Sequence, residues 1–138
     1  MGGYKGRALE TGDVIPYGED KKKQHMLIVK DSTEPVDNKI RIIPGPNFVD
    51  LTDESKEDFV KQPYKITRSN DRMGIRLEGK PLATNNGVHD ILSEPTQLGN
   101  IQVPKSGLPI ILLNDRQTTG GYKRMASVAK IDLPKLVQ

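Results

Sequence analysis

The sequence contains no cysteine and no tryptophan, only two phenylalanines (Phe48 and Phe59) and only two histidines (His25 and His89). Without cysteine there is no disulfide framework, no thiolate nucleophile and no cysteine-based metal site, a composition that fits a reducing cytoplasm. His25 and His89 lack paired ligand spacing, so no metal site is expected. Long apolar runs are also missing. The longest, Met26–Val29 and Leu108–Leu113, fall far short of the roughly 20 residues that span a bilayer. The first residues, M-G-G-Y-K-G-R, lack the apolar centre of a signal peptide. Met-Gly-Gly suggests myristoylation, but Gly6 stands where that motif needs Ser or Thr. No membrane attachment is expected.

Charge of one sign is scarce too. Met1 to Ser69 carries 12 basic and 12 acidic residues, and Asn70 to Gln138 carries 9 basic and 6 acidic, so the net charge of +3 comes entirely from the second half. The basic run Lys21–Lys23 follows Glu19 and Asp20 and reads as a solvated turn. With no basic stripe and no interleaved aromatics, nucleic acid is not an expected partner. No Gly-rich phosphate loop is present, so the chain is not expected to hold ATP by itself.

What the sequence does have is turns. Its 138 residues include 13 Gly and 10 Pro, and the length suits one domain. A turn is expected at Thr11-Gly12-Asp13, followed by a short buried strand at Met26–Val29 and a polar loop over 31–38. Lys39–Ile43 alternates and must stop at Pro44-Gly45-Pro46. Thr52 can cap a helix running to Gln62, with Asp53 and Glu54 in its first turn and Phe48, Leu51, Phe59 and Val60 on its apolar side. Further strands are expected at Tyr64–Thr67, Met73–Leu77, Ile101–Val103, Leu108–Leu113 and Met125–Ile131. Asn86-Gly87 reads as a turn, and Asp132 as the cap of a short last helix with Pro134 in its first turn. Seven to nine short strands with two short helices, and no crossover helices between strands, predict a mainly β chain, a closed or semi-closed β-barrel.

Three polar clusters sit at strand ends. Asn114 to Tyr122 places seven polar side chains and two glycines directly after the most strand-like run. Arg116 offers a rigid fork of donors suited to a carboxylate, Gln117 both a donor and an acceptor, and Thr118 and Thr119 hydroxyls. Gly120 and Gly121 allow close approach of a ligand or a positive φ. The same run also reads as a hairpin turn in which Asp115 and Arg116 pair. The second cluster is Ser69 to Gly74 with Arg76, where Asp71 and Arg72 can pair. The third, Ser93 to Thr96, contains Glu94, which can accept a hydrogen bond or a proton. His89 beside Asp90 reads either as a general base or, more simply, as an ordinary surface or cap residue.

These strings carry a family resemblance. S-N-D-R-M-G-I-R-L-E-G at 69–79, I-L-S-E-P at 91–95, I-Q-V-P at 101–104 and L-N-D-R-Q-T-T-G-G-Y at 113–122 resemble the biotin-dependent carboxyltransferase-like family. So do G-G-Y-K-G-R-A-L-E-T-G-D at the start and I-R-I-I-P-G-P at 40–46. That family includes the C-type subunit of the bacterial ATP-dependent 5-oxoprolinase, the second subunit of allophanate-hydrolase-like proteins and the carboxyltransferase domain of urea carboxylase. The resemblance implies a cyclophilin-like β-barrel in an intracellular protein that works with 5-oxoprolinase-type A and B subunits on a small amide or urea. ATP would act in that complex, and biotin in the carboxylase relatives, with neither bound by this chain alone. By matching strings it implies Arg116, Gln117 and Glu94 as catalytic groups. Arg72, Arg76, Thr118, Thr119, Gly120, Gly121 and Tyr122 would bind substrate. Family members continue on both sides of this stretch, so 1–138 is expected to be a single cyclophilin-like domain, a fragment or the C-terminal half of a larger subunit, lacking the closing strand that follows L-P-K-L-V-Q. An edge left open in this way invites pairing with another copy, so a homo-oligomer is among the expected partners. A regulatory or binding module without chemistry of its own is the competing expectation.

Overall fold

The computed structural model describes residues 5, 7–16, 18 and 39–137. The chain divides into two compact units, Met1–Val36 and Asp37–Gln138. In the first, the expected turn is present. Gly12 takes φ +99°, and Asp13 donates its N–H to the Glu10 carbonyl at 3.1 Å. The Asp13 carboxylate accepts from the Glu10 N–H at 2.8 Å and from the Arg7 guanidinium at 2.6 Å. The strand expected at 26–29, the Lys21–Lys23 run, His25 and the loop over 31–38 lie outside the described residues.

The second unit is mainly β. Its elements are β1 (Ile42–Pro44), a 3-10 turn (Phe48–Asp50), α1 (Asp53–Lys61), β2 (Lys65–Ile66), β3 (Gly74–Glu78), β4 (Asp90–Pro95), β5 (Asn100–Gln102), β6 (Ile110–Leu112), β7 (Thr119–Tyr122), β8 (Arg124–Val128) and a last 3-10 segment (Lys130–Val137). Six strands form one sheet in the order β1-β8-β5-β6-β3-β2, while β4 and β7 pair as a separate ribbon. All pairings are antiparallel. The mainly β expectation is met. The sheet ends at β1 and β2, and no pairing among the described residues joins those edges into a barrel.

α1 forms where its cap predicts. The Thr52 hydroxyl accepts from the Ser55 N–H at 3.2 Å, and Asp53 and Glu54 occupy the first turn. Ser55 and Phe59, four residues apart, face inward, and Phe59 meets Phe48 and Tyr64 at ring separations of 6.3 and 6.4 Å. Val60, expected on that apolar side, is exposed. Burial pushes the Tyr64 phenol up to about 12, against a lowering by the Gln62 amide.

Leu51, Phe59, Ile75, Leu82, Ile101, Val103, Ile111, Met125, Ala126 and Val128 form one core. β5 lies inside it with all three residues buried, so its polar Asn100 and Gln102 need partners. Asn100 donates to the Ser127 hydroxyl at 2.8 Å and accepts from the Gln97 N–H at 2.8 Å. The β5–β8 register shifts between Ile101, opposite Ala126, and Gln102, opposite Arg124. This bulge leaves Met125 fully enclosed and turns Gln102 toward β7.

Asp132 does not cap a helix as expected. Its fully enclosed carboxylate accepts from Arg41 Nε and Nη2 at 2.8 Å each, from the Arg41 N–H at 2.9 Å and from Lys135 Nζ at 3.2 Å. Arg41 foremost holds this carboxyl well below the usual carboxylate range.

Candidate functional site

The three polar clusters meet. The Leu113 and Asp115 N–H groups donate to the Met73 and Arg72 carbonyls at 2.9 Å each, which docks the 113–117 loop on the turn before β3. Thr96 joins it from the end of β4. Its N–H donates to the Thr118 carbonyl at 2.9 Å, and its hydroxyl donates to the Gln117 carbonyl. The turn is fixed by its own side chains. Asp71 Oδ1 accepts from the N–H groups of Met73 and Gly74 at 2.8 and 3.1 Å, and Asn70 Oδ1 accepts from the Arg76 N–H at 2.8 Å.

A cavity of about 240 Å³ lies at this junction. β3 contributes Arg76 to it, the docked loop Gln117, β7 Tyr122 and β5 Gln102, over a floor that includes Ile110 and Leu112. The arginines of this half of the chain differ in one respect. Arg72 is engaged by Asp115 through Nε at 2.9 Å and Nη2 at 3.2 Å, and Arg124 lies 3.7 Å from Glu94. The Arg76 guanidinium has no hydrogen-bond or ion-pair partner among the described residues, and it lines the cavity.

Gln102 was not singled out from the sequence. It is only 3% exposed, donates Nε2 to the Tyr122 carbonyl at 3.3 Å and accepts from Gln117 Nε2 at a long 3.5 Å. Two side-chain amides therefore stand together at the cavity wall. The signal for Gln102 was a polar residue between Ile101 and Val103 in an otherwise apolar strand. Gly120 makes this arrangement fit, because a Cβ there would stand 2.7 Å from Gln102 Nε2. Neither Gly120 nor Gly121 takes a positive φ.

The other candidates stand elsewhere. Arg116 is half-buried, with Nη1 donating to the Leu113 carbonyl at 3.3 Å, and its enclosed Nε has no partner among the described residues. Nothing in the structure accounts for that Nε. Asp115 pairs with Arg72 rather than with Arg116, and Asp71 serves the turn rather than Arg72. Thr118 and Thr119 are exposed, and Glu94 faces Arg124. His89 is buried, with Nδ1 3.2 Å from the Val103 carbonyl oxygen, and does not line the cavity. No described helix is long and apolar enough to cross a membrane.

Comparison with known proteins places this geometry in a family. The sequence matches the family model for the carboxyltransferase domain, subdomain A and B, over residues 1–138. It is 36% identical over 145 residues to the C-type subunit of 5-oxoprolinase from Escherichia coli, a match that covers all of this chain and 44% of that protein. It is 29% identical over 160 residues to urea amidolyase of Saccharomyces cerevisiae, again over the whole chain but 8% of the relative. The crystal structure of K. lactis urea amidolyase shares the fold, with a TM-score of 0.64 at 23% identity over 72% of this chain and 6% of that one. The chain thus spans less than half the length of the 5-oxoprolinase proteins it matches. Matched by the family model from its first residue to its last, the chain belongs to the carboxyltransferase domain family, subdomains A and B.

Proposed function

We propose that this chain is part of a 5-oxoprolinase-like assembly in the cytoplasm, and that the Arg76 cavity holds the small amide substrate. The observation that carries this reading is a guanidinium, without a partner among the described residues, sharing one cavity with two side-chain amides and a phenol. 5-Oxoproline combines a carboxylate with a lactam. Arg76 suits the carboxylate through its planar fork. Gln117 Oε1 can accept from the lactam N–H, and the second Nε2 hydrogens of Gln117 and Gln102 can donate to its carbonyl, with Tyr122 at the rim. Opening the ring breaks the lactam C–N bond, while water supplies OH to the carbonyl carbon and H to the nitrogen. The residues of this cavity bind and orient, which by itself removes much of the entropic barrier. Glu94, Arg116, Thr118 and Thr119 stand outside it, on the ribbon and loop, where A- and B-type partner subunits would meet the substrate.

The N-terminus of α1 offers no phosphate site for ATP. The described α-helix carries Asp53 and Glu54 in its first turn, where a phosphate would need bare N–H groups, and Thr52 already caps it. Biotin fits better. When bound it supplies a transferable carboxyl group, and Gln102 and Gln117 present donors and acceptors that match the edges of its ureido ring.

A binding module without chemistry remains the second reading. It is favoured by the cavity lining, which contains no serine, threonine or histidine and only the Asp71 carboxylate already held by two N–H groups. The test is 5-oxoproline cleavage by the chain reconstituted with A- and B-type subunits. Arg76→Ala should raise KM by roughly 10- to 100-fold, the scale of a lost charged hydrogen bond, with assembly intact. Undiminished activity in Arg76→Ala would remove the cavity from the reaction. Tight assembly with no turnover in the unmodified chain would establish the second reading.

A further inference from the structure

A second cavity of about 240 Å³ adjoins the first, and Arg76, Pro104 and Ile110 line both. Its own polar lining is Thr67, Ser69, Glu78 and Ser106. Arg76 and Glu78 are two residues apart on β3, so they project from the same face of the strand. Neither the guanidinium of Arg76 nor the carboxylate of Glu78 has a partner among the described residues, although Lys65 stands opposite Glu78 in the β2–β3 register. The hydroxyls of Thr67 and Ser106 accept from the Ser69 and Leu108 N–H groups at 3.2 and 3.3 Å, which leaves their protons available to donate.

A cation and an anion on one wall, neither paired among the described residues and both flanked by hydroxyl donors, match a zwitterion. We propose that this second cavity is a subsite for a free α-amino acid, with Arg76 taking its carboxylate and Glu78 its ammonium group. In the first cavity the Asp71 carboxylate is tied to the turn, with Oδ1 accepting from the Met73 and Gly74 N–H groups, whereas Glu78 shares a strand face with Arg76. A lactam nitrogen is neutral and makes no use of Glu78. Ring opening turns that nitrogen into an ammonium group beside the same carboxylate, and only then does Glu78 acquire a partner. The proposal rests on the function proposed above, and it gives Arg76 a pivot role, holding one carboxylate while the nitrogen changes neighbour.

Calorimetric titration of the full chain, alone and in the assembly, with L-glutamate, glutarate and 5-oxoproline tests this. Glutamate should bind roughly tenfold more tightly than glutarate, which lacks the amino group. Glu78→Gln should erase that preference, Glu78→Lys should reverse it, and both should affect glutamate more than 5-oxoproline. Equal binding of glutamate and glutarate, no saturable binding of glutamate, or a preference that survives Glu78→Gln would overturn the subsite. Failure of the assembly to cleave 5-oxoproline would overturn the proposed function instead, while the glutamate-to-glutarate ratio would still decide the subsite.

Discussion

In the six-stranded sheet, β5, β6 and β8 enclose Ile101, Ile111, Met125 and Val128, whereas the β4–β7 ribbon buries only Gly120 and leaves Leu92 94% exposed. The sheet rests on apolar area removed from water. A two-stranded ribbon is marginal by itself, and polar contacts join this one to the sheet: Gln102 to Tyr122 and to Gln117 just before β7, and Arg124 to Glu94. The difference explains why the Arg76 cavity lies where it does. Polar side chains not needed for packing can meet a ligand, and the buried sheet beneath gives them a fixed base.

The comparison breaks most visibly if its two regions respond alike to truncation. Met125→Ala removes a fully enclosed side chain from the sheet and should cost about 2–5 kcal/mol in urea unfolding. Leu92→Ala on the ribbon should stay within about 0.5 kcal/mol. Equal losses would mean that the ribbon has an apolar interior of its own.

The seam between the regions should show an intermediate effect. Gln102→Leu keeps the volume but leaves the Tyr122 carbonyl without that donor, at a cost of about 1–2 kcal/mol. It should also weaken 5-oxoproline binding, because Gln117 loses its partner. Gly120→Ala pushes against the same amide and should reproduce the binding defect. The double variant should bind no worse than the weaker single one, since both act on one contact. Additive losses in calorimetry would place Gly120 and Gln102 in separate roles.

Much of the sheet was legible because its signals are local. Thr52 with Asp53 and Glu54 marks the start of α1, Pro44 ends β1, and the apolar run from Leu108 contains β6. The ribbon was not legible. Ser93–Thr96 and Asn114–Tyr122 read as separate polar clusters, yet β4 and β7 pair through Glu94 opposite Gly120 and Pro95 opposite Thr119. Strands this polar show no alternation, and pairing across about 25 residues leaves no local trace. The cavity was half legible. Arg76, Gln117 and Tyr122 were among the candidates, but the sequence could not distinguish unpaired Arg76 from Arg72, because the partner Asp115 comes from another loop. Gln102 was hidden by an apolar strand, and Asp132 by its position before a proline-bearing segment.

A smaller effect belongs to the sheet's edge and appears only in acid. Asp132 ties the last 3-10 segment to Arg41, just before β1. Its folded pKa lies below the ordinary 3.8, so its contribution is complete above that value and drains away as pH falls through it toward the lowered one. Asp132→Asn should therefore lower stability near neutral pH and flatten the loss below about pH 4. Parallel acid titrations of the two proteins would assign the pH dependence to other carboxylates.

The smallest effect separates the two arginines that flank the docked loop. The Arg72 side chain is 84% exposed and its partner Asp115 47%, so the pair is well screened and Arg72→Ala should cost under about 1 kcal/mol. The loop should stay docked, because its ties to residues 72 and 73 run through backbone N–H groups that the substitution leaves in place. Ligand affinity should then change far less than in Arg76→Ala, since Arg72 does not line the Arg76 cavity. Arg72 does line another cavity of about 310 Å³, with Leu98, Leu113, Asn114, Leu133 and Pro134. A loss of 5-oxoproline affinity in Arg72→Ala as large as in Arg76→Ala would mean that the substrate reaches that side of the loop. The free-versus-paired distinction between the arginines would then no longer locate the site.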